Sequence, residues 1–366
     1  MSQRVMSSDY MAWSKLHSGS KYNLAASGVR WYALKDLPVT LADLEINGPS
    51  TYGFAPLQEA IANRFGVTTD MVVAAAGTSM ANHLAMAVAF EPGEEVLIEH
   101  PTYELLVSTA QYLGAQVTRF SRPAEDGFRL DPNTIARAIT PATRLIVLAN
   151  LHNPSSAFVD NATLAQVGEL ARGVGARVLV DEVYLEAMFD HRPPSAIHLG
   201  KEFIVTSSLT KAYGLNGLRC GWALAEPQLA QKMWRLHDLF GVIPAHPAER
   251  LSVIAFQHLE QVAASARTLL QSNLALLHRF LDSHPELPAS KPEFGTIAFP
   301  KLLRGNVDTL CALLREKYET TVVPGKFFEM PQHFRIAVGG ETTVVQEGLE
   351  RLGRALADLK LFHTDW

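Results

Sequence analysis

A lysine, an aspartate, an asparagine, a tyrosine and an arginine stand just after short apolar runs in this 366-residue chain. Asn153 follows the run at 144–150. Asp181 closes the run at 177–181, with Tyr184 three residues on. Lys211 follows the run at 203–207 through Ser208, Leu209 and Thr210, and Arg219 lies eight residues beyond it. An earlier run at 71–75 leads into Gly77, Thr78 and Ser79 at the mouth of a helical pattern. A primary amine can act as a nucleophile and a base. A buried carboxylate can hold a cation, and a guanidinium grips an anion through paired donors. Small residues at a helix start offer backbone N–H groups and the positive end of a dipole to an anion. Taken singly, each has a plainer reading as a cap, a turn or a solvated charge. Together they supply an anion cradle, a carboxylate, a phenol, an amide, an amine and a guanidinium at successive strand ends, where open α/β sheets gather their ligands.

The elements that must position these groups are legible as patterns. The runs at 144–150, 177–181 and 203–207 are short, β-branched and apolar, as strands buried on both faces are. Between the first two, residues 162–172 place Leu164, Val167, Leu170 and Ala171 on one helical face, with Asp160 or Asn161 as the cap. Residues 95–98 and 105–113 repeat the strand-then-helix theme. This alternation predicts an α/β fold: a three-layer α/β/α large domain with a mostly parallel sheet. Residues 248–283 read as one or two long helices, with Leu251, Ile254, Ala255 and Leu259 on one face. Pro285, Pro288 and Pro292 then mark a linker, and a smaller α+β domain follows with a strand at 296–299 and a helix at 307–317. The first 45 residues lack periodicity and carry Tyr10, Trp13, Tyr22, Trp31 and Tyr32, which predicts an arm packed on something larger. The expected division is a large domain at 46–280 and a small domain formed by 1–45 and 281–366.

Composition narrows the class. The chain is 48% hydrophobic and 19% charged, with 32 Lys+Arg against 37 Asp+Glu and a net charge of −5, which excludes disorder and argues against a nucleic-acid binder. Two cysteines, Cys220 and Cys311, build neither a disulfide framework nor a four-cysteine zinc site, and no histidine spacing suggests a metal. Residues 71–90 are uncharged and long enough to span a bilayer, but Gly77, Thr78, Ser79, Asn82 and His83 occupy their middle. A strand, a turn and a buried helix are expected there, in a soluble cytoplasmic protein without a membrane partner.

The stretch SLTKAYGLNGLR at 208–219, together with Asn153-Pro154 lying 28 residues before Asp181-Glu182-Val183-Tyr184, resembles the class I/II pyridoxal-phosphate aminotransferases of fold type I. The resemblance runs from about residue 23 to 335. It implies pyridoxal 5'-phosphate as cofactor, with Lys211 as the Schiff-base and proton-shuttling lysine and Asp181 on the pyridine nitrogen. By the same resemblance Tyr184 and Asn153 face the cofactor's phenolic oxygen, and Tyr103 stacks on the ring. Ser208, Arg219, Gly77, Thr78 and Ser79 bind the phosphate, while Arg335, with Asn153, takes the substrate carboxylate. It implies a homodimer with shared active sites, to which Tyr52 or His246 could contribute. The sequence departs from the pattern at Ser155-Ser156, where Thr-Gly is common, and at Gly48, where a tyrosine is common. Arg250 is the one arginine at 240–250, which does not favour aspartate as substrate. The expected reaction moves an amino group between an L-α-amino acid and a 2-oxo acid. The alternatives are a lyase or decarboxylase with the same cofactor, and a non-catalytic effector-sensing domain.

Overall fold

A computed structural model describes residues 5–362; residues 1–4 and 363–366, part of the expected small domain, lie outside the described residues. Helix α1 (Asp9–His17) and strand β1 (Tyr22–Asn23) come first. They are followed by α2 (Ala55–Phe65), β2 (Val72–Ala76), α3 (Thr78–Ala89), β3 (Glu95–His100), α4 (Glu104–Tyr112) and β4 (Gln116–Ser121). Next come α5 (Pro132–Ala138), β5 (Thr143–Ala149), α6 (Asn161–Val174), β6 (Arg177–Asp181), β7 (Phe203–Ser208) and β8 (Cys220–Leu224). Helices α7 (Pro227–His237), α8 (His246–Gln257) and α9 (Leu259–Asp282) lead to β9 (Ile297–Ala298) and α10 (Val307–Tyr318). The chain closes through β10 (Thr320–Thr321), β11 (Val323–Pro324), β12 (Phe334–Ala337) and α11 (Thr342–Phe362).

Strands β2 to β8 form one seven-stranded sheet in the order β2-β8-β7-β6-β5-β3-β4. Only β8 runs against its neighbours β2 and β7. It can do so because the segment from Leu209 to Arg219 returns directly from β7 without a crossover helix. Helices cover both sides of the sheet, so the central strands lose all contact with water at Leu145–Leu148, Val178–Val180 and Phe203–Val205. That burial explains their continuous apolar runs. Helix α6 shows how local sequence sets the frame: the Asp160 carboxylate accepts the Thr163 N–H at 2.7 Å, and Gly175 ends the helix at φ 73°. The strand order reverses between β3 and β5, which opens a crevice at their carboxyl ends.

A second set of elements packs beside this sheet. Strands β11, β12 and β9 form an antiparallel sheet, while β1 pairs in parallel with β10. One apolar core runs from Val29 to Leu270 in the chain; another joins Leu24 to residues from Leu274 to Leu359. Both meet within α9, so this helix belongs to two cores at once.

Three expectations are refined. The segment 248–283 is two helices, interrupted where His258 adopts φ −114° and ψ 19°. The strand expected at 296–299 pairs only at Ile297 and Ala298. The arm contains α1, capped by the Ser8 hydroxyl on the Met11 N–H at 3.0 Å. Periodicity missed α1 because only Tyr10 of its nine residues is buried, so tertiary contacts rather than an apolar stripe hold it. Among the described residues no helix is long and apolar enough to cross a membrane, and residues 71–90 resolve into β2, a turn and α3.

Candidate active site

At the crevice, Thr78, Ser79, Tyr103, Asn153, Asp181, Tyr184, Ser208, Lys211 and Arg219 line one cavity of about 320 Å³. Each lies at a strand end, at a helix start or within a few residues of one, so the sheet sets their spacing.

Asp181 ends β6 between β5 and β7 and is buried there. Its Oδ2 accepts the Asn82 side-chain N–H at 2.9 Å and its Oδ1 accepts the Val183 N–H at 3.1 Å. Asn82 is itself oriented by the Thr206 hydroxyl, which donates to its oxygen at 2.6 Å. Burial pushes the Asp181 carboxyl up; the Asn82 and Val183 hydrogen bonds and the nearby Lys211 amine oppose that shift. A cation placed against this carboxylate would hold it ionised.

Lys211 donates from Nζ to the Ser27 hydroxyl at 3.1 Å, and the Tyr184 hydroxyl donates to the same oxygen at 2.7 Å. The Lys211 Nζ lies 5.9 Å from the centre of the Tyr184 ring. Burial pushes the ammonium down, which raises the share of free amine and makes it a better nucleophile.

The anion end is built around the first turn of α3. Gly77 caps that helix at φ +81°, and a Cβ there would stand 2.3 Å from Arg219 Nη2. Glycine therefore lets Arg219 cross the turn, where Nη2 donates to the Ala76 carbonyl at 3.1 Å. Gly77 lies behind the wall, while Thr78 and Ser79 face inward. The Thr78 hydroxyl is buried without a protein partner, and Ser208, on the same cavity, accepts the Thr210 N–H at 3.3 Å.

Arg335 on β12 lies behind Asn153 and is fully buried. Its Nη1 donates to Asn153 Oδ1 at 3.0 Å, and its Nη2 donates to the Tyr10 hydroxyl at 2.9 Å and the Ala25 carbonyl at 3.1 Å. The departures from the family pattern also have places. Ser156 adopts φ +61° where glycine is common, and its hydroxyl donates to the Ile297 carbonyl at 2.7 Å. At Gly48 a Cβ would stand 2.0 Å from His246 Nε2, so the histidine ring fills that space. Neither Tyr52 nor His246 lines this cavity: Tyr52 is exposed beside Arg235 and Trp234, and His246 is buried against Phe54.

Ser27 and Asn82 were not among the sequence-derived site residues, and Tyr10 was singled out only as one of the arm's aromatics. Asn82 left one trace, as a polar side chain inside an uncharged, buried helix. Ser27 left none, because its partners are 157 and 184 residues away.

An amine, a buried carboxylate, a tyrosine in the cavity wall and an anion cradle with an unpartnered hydroxyl fit a phosphorylated pyridine aldehyde. The fold and the site thus define an α/β enzyme that uses pyridoxal phosphate. The chain belongs to the class I and II aminotransferases, whose family model matches residues 39–352. It is a pyridoxal-phosphate-dependent enzyme of the transaminase kind. Capreomycidine synthase from Streptomyces vinaceus is 28% identical over 351 residues, covering 92% of this chain and 90% of that one. A probable N-succinyldiaminopimelate aminotransferase of Mycobacterium tuberculosis is 30% identical over 301 residues, 76% of this chain and 74% of that one. A pyridoxal-phosphate-dependent aminotransferase structure from Streptococcus suis superposes with a TM-score of 0.92 at 25% identity, over 98% of this chain and 99% of that one.

Proposed function

We propose that this site transfers an amino group from an L-α-amino acid with an uncharged side chain to a 2-oxo acid. The observation that carries the reading is the pairing, across one cavity, of the Lys211 amine with the buried, hydrogen-bonded Asp181 carboxylate. When bound, pyridoxal phosphate supplies an aldehyde for the substrate amine and a cationic ring that draws electron density from the substrate Cα. Asp181 would face the ring nitrogen and favour its protonated form, with Asn82 and the Val183 N–H fixing the carboxylate. Lys211 would hold the cofactor covalently and then carry the proton at the substrate Cα, for which a depressed pKa suits it. Arg219, Ser208, Thr78 and Ser79 would bind the phosphate at the start of α3, and Tyr103 would stack on the ring. Asn153 and Tyr184 would reach the phenolic oxygen. Arg335 would take the substrate carboxylate, since a forked pair calls for a guanidinium.

The side-chain preference is supported by what lines the rest of the cavity. Its charged residues, Asp181, Lys211 and Arg219, all have cofactor roles, and the others include Tyr10, Met11, Ser14 and Trp31. Arg250 supports the same view, being tied to Asp43 at 3.6 Å. A division into a large unit and a small one drawn from both chain ends is supported by the two apolar cores, which change over between Leu270 and Leu274 rather than at 280, with Val29 and Leu37 packing in the large one. A homodimer is supported by the exposed apolar residues Leu239, Phe240, Val242 and Ile243 in one loop. Two free, buried cysteines support a reducing, cytoplasmic setting.

A second reading keeps the cofactor and changes the product, breaking a different bond at Cα or Cβ; the match to a protein named a synthase favours it. The test is an amino-donor screen with isotope-labelled amino nitrogen and a 2-oxo acid acceptor. Label in a new amino acid supports transfer. Label released as ammonia with a 2-oxo acid, or label retained in a decarboxylated or cyclised form of the donor with none in a new amino acid, supports the second reading instead.

A further inference from the structure

We propose that the Tyr10 hydroxyl occupies the substrate carboxylate's place on Arg335, and that an incoming amino acid displaces it. The inference rests on Arg335 being the carboxylate-binding residue. A guanidinium offers a carboxylate two parallel N–H groups along only two edges, the one formed by Nε and Nη2 and the one formed by Nη1 and Nη2. Both edges include Nη2. In this structure both Nη2 hydrogens are engaged, one by the Tyr10 hydroxyl at 2.9 Å and one by the Ala25 carbonyl at 3.1 Å. Arg335 Nε, meanwhile, is buried and has no partner. On the other side Nη1 already donates to Asn153 Oδ1 at 3.0 Å, so Nε, beside Nη2, is the donor left for an acceptor that the fold does not supply. A carboxylate can complete a fork only by taking a contact from Nη2. The Ala25 carbonyl is backbone, in a segment pinned by the Asn23 side chain on the Ala25 and Ala26 N–H groups. The phenol is the partner free to leave.

Tyr10 is well placed for such an exchange. Its ring stands edge-on to Tyr103, centroid to centroid 5.7 Å, and the Arg335 guanidinium lies 5.7 Å from its centre. Helix α1 carries Met11 and Ser14 onto the same cavity wall, and Trp13 on this helix packs against Phe327 at 5.4 Å. Leaving Arg335 therefore shifts the seat of α1 over the substrate, and Trp13 reports it. Tyr10 is a substrate-site residue whose hydroxyl competes with the carboxylate and so sets affinity.

The test uses holoenzyme, with phenylpropanoate as a carboxylate lacking the amine and phenylethylamine as an amine lacking the carboxylate. Tyr10→Phe removes the competitor while keeping the ring. It should tighten phenylpropanoate binding about three- to tenfold and lower the donor KM to match, with phenylethylamine binding within about twofold of wild type. Unchanged or weaker phenylpropanoate binding overturns the proposal, because the hydroxyl would then be neutral or a donor to the carboxylate. Arg335→Gln separates this failure from that of the underlying reading. If Arg335→Gln leaves phenylpropanoate binding intact, the carboxylate site itself is misassigned. A second measurement needs no Tyr10 variant: in a Trp31→Phe background, which removes the tryptophan lining the cavity, phenylpropanoate should still change the tryptophan emission of the holoenzyme, and adding Trp13→Phe should remove that change. Emission unaltered at saturating phenylpropanoate overturns the displacement.

Discussion

The Asp181 carboxylate acts through what holds it. Thr206 orients Asn82, Asn82 fixes one carboxylate oxygen, and the Val183 N–H fixes the other. Hydrogen bonds to an ionised group contribute about 1.5–3 kcal/mol. Asn82→Ala should therefore lower kcat by about ten- to a hundredfold and loosen the cofactor, measured by turnover and by cofactor loss on dialysis. An unchanged kcat would show that Asp181 needs no such support. Lys211, Asp181 and Asn153 could be put forward from the sequence because each stands at or just after a strand and carries a group that chemistry recognises; Arg219, just before β8, came forward with the stretch it shares with Lys211. Asn82 and Ser27 could not be put forward in this way, since their importance lies in partners 99 to 184 residues distant that only folding brings near.

The loops at the crevice are tied together by an ion pair beneath them. Glu99 at the end of β3 meets Arg122, just beyond β4, at 2.8 Å, and neither side chain touches water. The other Glu99 oxygen accepts the Ala149 N–H of β5 at 2.8 Å and the Thr102 hydroxyl at 3.1 Å. Three strand ends thus share one carboxylate, and the loops leaving them carry Tyr103 and Asn153. Burial pushes Glu99 up while Arg122 holds it back. Removing one partner strands a buried charge, at a cost of about 3–5 kcal/mol, whereas replacing both with apolar groups costs less. Glu99→Ala should lower the melting temperature markedly, and Glu99→Leu with Arg122→Met should recover part of the loss in thermal or urea unfolding. A Glu99→Ala protein as stable as wild type would contradict this. The strands and α6 were legible from periodicity and capping. Helix α1 was not, since tertiary contacts at Tyr10 fix it, and the length of β9 was not, since pairing with β12 decides it.

At the scale of the molecule, the two cores meet in α9, and the segment from Leu24 to Val29 contributes to both. The expectation of a small unit drawn from both chain ends came from the parallel pattern stopping after β8 and giving way to an α+β one. Its dependence on pH is set by buried rings such as His333, stacked on Phe299 at 5.0 Å. Burial, with Lys301 adding to it, pushes this imidazole down to about 4. The unfolded ring takes its proton near pH 6.5. The folded state therefore gains from His333 in full above about pH 6.5, and that gain is lost as pH falls toward 4. The loss is on the order of 2 kcal/mol, allowing for solvent screening. His333→Phe should flatten the decline of melting temperature between about pH 7 and 4.5; a slope equal to that of wild type would remove His333 from the account.

The central claim is that Lys211 holds the cofactor, and chemical trapping tests it most directly. The holoenzyme is reduced with borohydride, digested and analysed by mass spectrometry. The account predicts a pyridoxyl-phosphate adduct on Lys211, absent from Lys211→Ala. An adduct on another lysine, or full turnover by Lys211→Ala, would contradict it.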